Sequence, residues 1–140
     1  DESNRTWEFG CNFFAVAPEF DINNFDEFNS GSMIMNIENL LKVKNDFDNF
    51  ILKNISLLLN SAWDQTAYRM FFKNRYSKLD PIYNWKSYWG KNSHAKLIHF
   101  HGIKPHHREA FSNRTLSEPF LSLISDDFFY YAKIWDSFLS

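Results

Sequence analysis

The sequence predicts an α/β fold, and three observations carry that prediction. Short apolar runs of strand length occur at residues 12–17, 32–37 and 95–100. Elsewhere apolar side chains recur at steps of three and four, the spacing that lines one face of a helix. The resulting order, strand, strand, helix, helix, strand, helix, belongs to mixed α and β architectures. The 140 residues suffice for one domain with its own core and show no internal repeat, low-complexity tract or linker.

Residues 12–17 (N-F-F-A-V-A) stop at Pro18 and read as a buried strand. Residues 21–27 are polar and read as a loop. Residues 32–37 (S-M-I-M-N-I) read as a second strand, entered through Asn29-Ser30-Gly31. Gly31 marks a place where backbone turns or approaches something closely. Over 38–53, Leu40, Val43, Phe47, Phe50 and Ile51 share a helix face, with Asn36 placed to cap it. Residues 63–73 read as a second helix, with Ala67, Met70 and Phe71 inward. A short strand at 76–79 is closed by Asp80-Pro81, and 82–92 is an irregular aromatic loop. Residues 95–100 (A-K-L-I-H-F) form the next strand, leading into His101-Gly102-Ile103-Lys104-Pro105. The last helix, 117–139, starts at the cap Ser117 with Pro119 in its first turn. Leu121, Ile124, Phe128, Tyr131, Trp135 and Phe138 form its stripe, widened by Ala132 and Leu139.

Composition narrows the function classes. A chain 44% hydrophobic and 23% charged is not intrinsically disordered, and its 19% aromatic share is unusual. A net charge of -2 offers no electrostatic case for nucleic acid. The single cysteine, Cys11, excludes an internal disulfide, a zinc finger and an iron–sulfur site, and reads as a small core residue. No apolar run approaches the ~20 residues of a transmembrane helix. The opening Asp-Glu-Ser-Asn-Arg is not a signal peptide and lacks Met, so the chain is expected to be part of a longer one.

Four groups of residues bear on chemistry. His94, His99, His101, His106 and His107 lie close in sequence, and His99 and His101 share a strand face, an arrangement open to a metal or to ordinary hydrogen-bonded histidines. Gly102 lets backbone N–H groups approach a phosphate, with Lys104 as a nearby cation. Asp64-Gln65 sets a carboxylate beside an amide, suited to sugar hydroxyls or simply to a helix start. Asp46 and Asp48, two apart on a helix, point away from each other and do not chelate one ion.

The order of these pieces is more specific than any one of them. F-N-S-G-S-M-I-M-N-I at 28–37, W-D-Q-T-A at 63–67, Y-N-W at 83–85 and I-H-F-H-G-I-K-P at 98–105 resemble the C-terminal half of glycosyltransferase family 8. That family includes glycogenin and the bacterial lipopolysaccharide galactosyl- and glucosyltransferases. The resemblance spans residues 13–105 and leaves the last helix without a motif. It implies a GT-A-like nucleotide-diphospho-sugar transferase fold that lacks its N-terminal nucleotide-binding half. It implies transfer of a hexose, with retention of configuration, from a UDP-linked donor to a glycan or lipid-linked saccharide.

Carried across residue by residue, the resemblance makes Asp64 and Gln65 the pair beside the reacting centre. It makes Asn29, with Ser30 and Gly31, a donor-sugar contact, Gly102 and Lys104 diphosphate contacts, and His99 a ligand of Mn2+ (or Mg2+). It implies a cytoplasmic location, with peripheral membrane association as a variant. Two departures stand out. One residue, Ile103, separates Gly102 from Lys104 where the family has two. The acidic Asp-x-Asp pair that supplies the other metal ligands has no counterpart. The 140 residues alone are therefore expected to transfer little or no sugar. The competing expectation is a non-catalytic carbohydrate- or protein-binding module, with Tyr83, Trp85, Tyr88 and Trp89 as sugar-stacking candidates.

Overall fold

A computed structural model describes residues 10–107 and 121–139. The chain divides into two compact units, one running to Pro81 and the other from Ile82.

The first unit is built on a three-stranded mixed sheet. The apolar run forms β1 (Phe14–Pro18), whose residues are all buried, as a strand covered on both faces must be. β2 (Phe28–Met35) runs antiparallel to it, and the short β3 (Ser77–Lys78) pairs parallel on its other edge. Pairing of β1 with β2 is regular from Phe14↔Met35 to Val16↔Met33 and resumes at Pro18↔Phe28. Between those points Ala17 alone faces Asn29 to Ser32, so β2 bulges there and its Asn29-Ser30-Gly31 segment leaves the ladder.

Asn36 caps α1 (Ile37–Lys42) as expected, its side chain accepting from the Asn39 N–H at 3.1 Å. The helix expected over 38–53 breaks at Val43 and continues as α2 (Lys44–Leu59). Asp46 and Asp48 lie on α2, where Asp48 pairs with Lys44 one turn away. α3 (Trp63–Phe71) follows. Met70, expected inward, is 41% exposed, because the bonds of Gln65 and Arg69 to Glu19 and the Phe28 carbonyl set which side of α3 faces inward.

Phe14, Val16, Phe28 and Phe72 form the core of this unit, ringed by Phe13, Phe47, Tyr68, Phe71 and Tyr76 among others. Much of the aromatic content is spent here. Phe14 meets Phe72 edge-on at 5.1 Å between ring centroids, and Phe28 meets Tyr76 at 4.9 Å. Each fully buried Phe contributes roughly 1.5–3 kcal/mol through apolar burial.

In the second unit β4 (Trp85–Lys86) pairs parallel with β5 (Ile98–His99). The strand expected over 95–100 is thus only two residues long. The final helix, α4, covers Asp126–Asp136 after a 3-10 turn at Leu121–Leu123. It is shorter than the expected 117–139, and Ser117 and Pro119 lie outside the described residues. Phe128 and Ala132 pack on Ile103 with Phe100, Ile124 and Phe129 around them. Among the described residues no helix is long and apolar enough to cross a membrane.

Candidate functional site

The bulge in β2 and the first turn of α3 build one polar cluster in the first unit. Leaving the ladder frees the Ser30 N–H, which donates to Gln65 Oε1 at 2.9 Å. The Asn29 Nδ2 donates to the same oxygen at 3.2 Å, and the Ser30 hydroxyl donates to Asp64 Oδ2 at 3.2 Å. The Gly31 N–H turns back to Asn29 Oδ1 at 3.0 Å. Asn29, Ser30, Gly31, Asp64 and Gln65 are therefore brought together, though some 34 positions separate the two motifs.

Two residues that sequence reasoning missed fix this cluster from beneath. Gln65 Nε2 donates to Glu19 Oε2 at 2.7 Å, and Arg69 pairs with that same oxygen at 2.5 Å while its Nε donates to the Phe28 carbonyl at 2.9 Å. Glu19 and Gln65 are 8% and 7% exposed, so neither faces solvent. A buried carboxylate requires such a partner, and removing one member of a buried ion pair costs about 3–5 kcal/mol. The legible signal was Arg69 standing one helical turn beyond Gln65, on the same face. Both ends of the Gln65 amide are engaged inward, whereas Asp64 is exposed and, among the described residues, has no partner on Oδ1. The Tyr68 phenol, one turn along, is held above its ordinary pKa by burial and then by the Asp64 charge.

The second unit holds His99, Gly102 and Lys104. His99 Nδ1 lies 2.8 Å from Asn84 Oδ1 and 3.2 Å from the ammonium of Lys86, which is fully buried and donates to Asn84 Oδ1 at 2.8 Å. Asn84 ends the 3-10 turn Pro81–Asn84 and Lys86 lies two residues on in β4, and the hydrogen bond between them brings both to His99. The His99 and His101 rings stand 5.8 Å apart, and the Tyr88 hydroxyl reaches His101 Nδ1 at 3.1 Å. Gly102 has φ +79°, a conformation that only glycine adopts without strain. The Lys104 ammonium donates to the Phe100 carbonyl at 2.5 Å.

A divalent ion bound by oxygen and imidazole ligands takes about six donors. Among the described residues no group of three His, Cys, Asp or Glu side chains converges. His99 offers one imidazole beside a buried ammonium, so the described residues do not by themselves fit a bound Mn2+ or Mg2+. The aromatic loop packs on itself, with Trp85 edge-on to Trp89 at 5.6 Å and Trp85 Nε1 donating to the Gly90 carbonyl at 2.8 Å. No family model, no curated protein and no solved structure matches this chain.

Proposed function

We propose that the chain carries the sugar-handling part of a glycosyltransferase that moves a hexose from a UDP-linked donor to a saccharide acceptor. The observation that carries this reading is the joining of the β2 bulge to the start of α3, through Ser30 to Asp64 and through Asn29 and Ser30 to Gln65. An exposed carboxylate beside a hydroxyl, both held on a buried amide scaffold, suits recognition of sugar hydroxyls.

The roles divide by exposure. Asp64 faces the sugar, where a carboxylate stabilises positive charge developing at the anomeric carbon. Gln65 is a positioning residue that holds Asn29 and Ser30, and Arg69 fixes the Phe28 carbonyl just before them and the Glu19 carboxylate that Gln65 donates to. Gly102 and Lys104 belong to this reading as diphosphate contacts. Mn2+ or Mg2+ belongs to it only as an added partner.

Asp64→Asn tests the proposal, because the side chain is exposed and its one bond, to Ser30, survives the change. Because the resemblance leaves the chain without a nucleotide-binding half, the probes are the free hexoses glucose and galactose, and in an NMR titration the chain is expected to bind one of the two. Asp64→Asn is expected to weaken that binding at least tenfold with the far-UV circular dichroism unchanged. Equal binding by the variant, or no binding of either hexose by the unaltered chain, sinks the reading.

A further inference from the structure

Three polar side chains meet at one oxygen in the second unit. Asn84 Oδ1 lies 2.8 Å from the Lys86 ammonium and 2.8 Å from His99 Nδ1, and those two nitrogens stand 3.2 Å apart. Asn84 and Lys86 are fully buried. What each atom can do then decides where the protons sit. An ammonium has three donors and no acceptor, so the end of the Asn84 amide that faces it is the oxygen. That oxygen has no proton to give. The His99 Nδ1 beside it must therefore carry one. A neutral His99 ring then keeps its lone pair on Nε2.

The other end of the same amide shows that this orientation is imposed. Asn84 Nδ2 is buried and has no hydrogen-bond partner among the described residues. A buried N–H without a partner costs free energy, and turning the amide over would let it donate to the His99 nitrogen. The Lys86 ammonium forbids that turn, because two donors would then face each other at 2.8 Å. The ammonium is itself held on this side. It also donates to the Asn84 backbone carbonyl at 3.4 Å and stands 5.5 Å from the centroid of the Trp89 ring.

We propose that Lys86 and Asn84 are positioning residues that lock His99 in its Nδ1–H form. Nε2 is then the atom through which the ring takes a proton donor or a divalent cation from a ligand. The lock consists of three side chains of this unit, so it requires neither the transferase reading nor a bound metal.

The test reads the proton directly. Long-range 1H–15N correlation of the histidine side chains distinguishes the two tautomers, at about pH 8 where an ordinary imidazole is neutral. The His99 signals are assigned by their loss in His99→Gln. In the unaltered full chain the Nδ1–H form of His99 is expected to exceed the Nε2–H form at least tenfold. Lys86→Met keeps the length of the side chain and removes its donors, so the Asn84 amide turns over and the Nε2–H form is expected to predominate. Asn84→Asp offers only oxygens to the ring and is expected to keep the Nδ1–H form. A lysine that merely filled space would leave the ring proton in place in Lys86→Met.

Predominance of the Nε2–H form in the unaltered chain overturns the proposal, whether or not any variant folds. So does a Lys86→Met chain of unchanged amide dispersion that retains the Nδ1–H form, or a folded Asn84→Asp chain that loses it. Failure of the transferase reading registers separately, in the hexose titration and the Asp64→Asn comparison.

Discussion

Tyr76 shows how one hydroxyl ties protonation to stability. Its Oη donates within reach of both the Phe25 carbonyl at 3.0 Å and Asp26 Oδ1 at 2.9 Å. Burial, then the Asp26 hydrogen bond and charge, push its pKa from 10.0 up to about 12. The folded state thus favours the neutral phenol. Its stabilising contribution is full below pH 10 and fades as pH rises toward about 12. Tyr76→Phe is expected to lower stability by about 1 kcal/mol at neutral pH. It should also flatten this part of the alkaline loss, as read by urea midpoints taken from pH 8 to 12. At this scale the sequence was informative where chemistry clusters locally. Asn29-Ser30-Gly31 and Asp64-Gln65 stood out as motifs, whereas Glu19 did not. Its partner Arg69 lies 50 positions away, and no local pattern encodes a pairing at that distance.

Secondary-structure elements repeat the lesson with their ends. Asn36 both accepts from the Asn39 N–H and donates to the Cys11 carbonyl at 3.1 Å, so it caps α1 and ties it to the residues before β1. Asn36→Ala is expected to cost about 1–2 kcal/mol, measured by urea denaturation, at the upper end for a cap because two bonds are lost. The cap was legible because Asn has an intrinsic preference for that position. The break at Val43 was not, since the apolar spacing runs through it unaltered. β5 shrank to Ile98–His99 for a related reason. A run of β-favouring side chains becomes a strand only over the length that a partner pairs, and β4 offers two residues.

Taken whole, the described residues place several large apolar side chains in solvent. Leu52, Leu57 and Leu59 on α2 are 71%, 49% and 58% exposed. Hydropathy marks such residues as apolar but does not say what covers them. Leu52→Lys together with Leu59→Lys is expected to lower concentration-dependent light scattering, with stability unchanged within about 0.5 kcal/mol. That the chain mixes helices with short strands was readable from the order of its apolar patterns. The division at Pro81 was not, because no linker composition marks it. The polar cluster on β2 and α3 carries one more consequence. Its bonds between elements span 34 to 50 positions, so none of them exists in an unfolded chain. Whatever occupies that cluster therefore binds the native state alone, and mass action makes occupancy visible as resistance to melting. At a hundredfold excess over Kd the gain is about 2.7 kcal/mol. A thermal-shift screen of sugars and nucleotide sugars thus reports on the site without any assay of turnover.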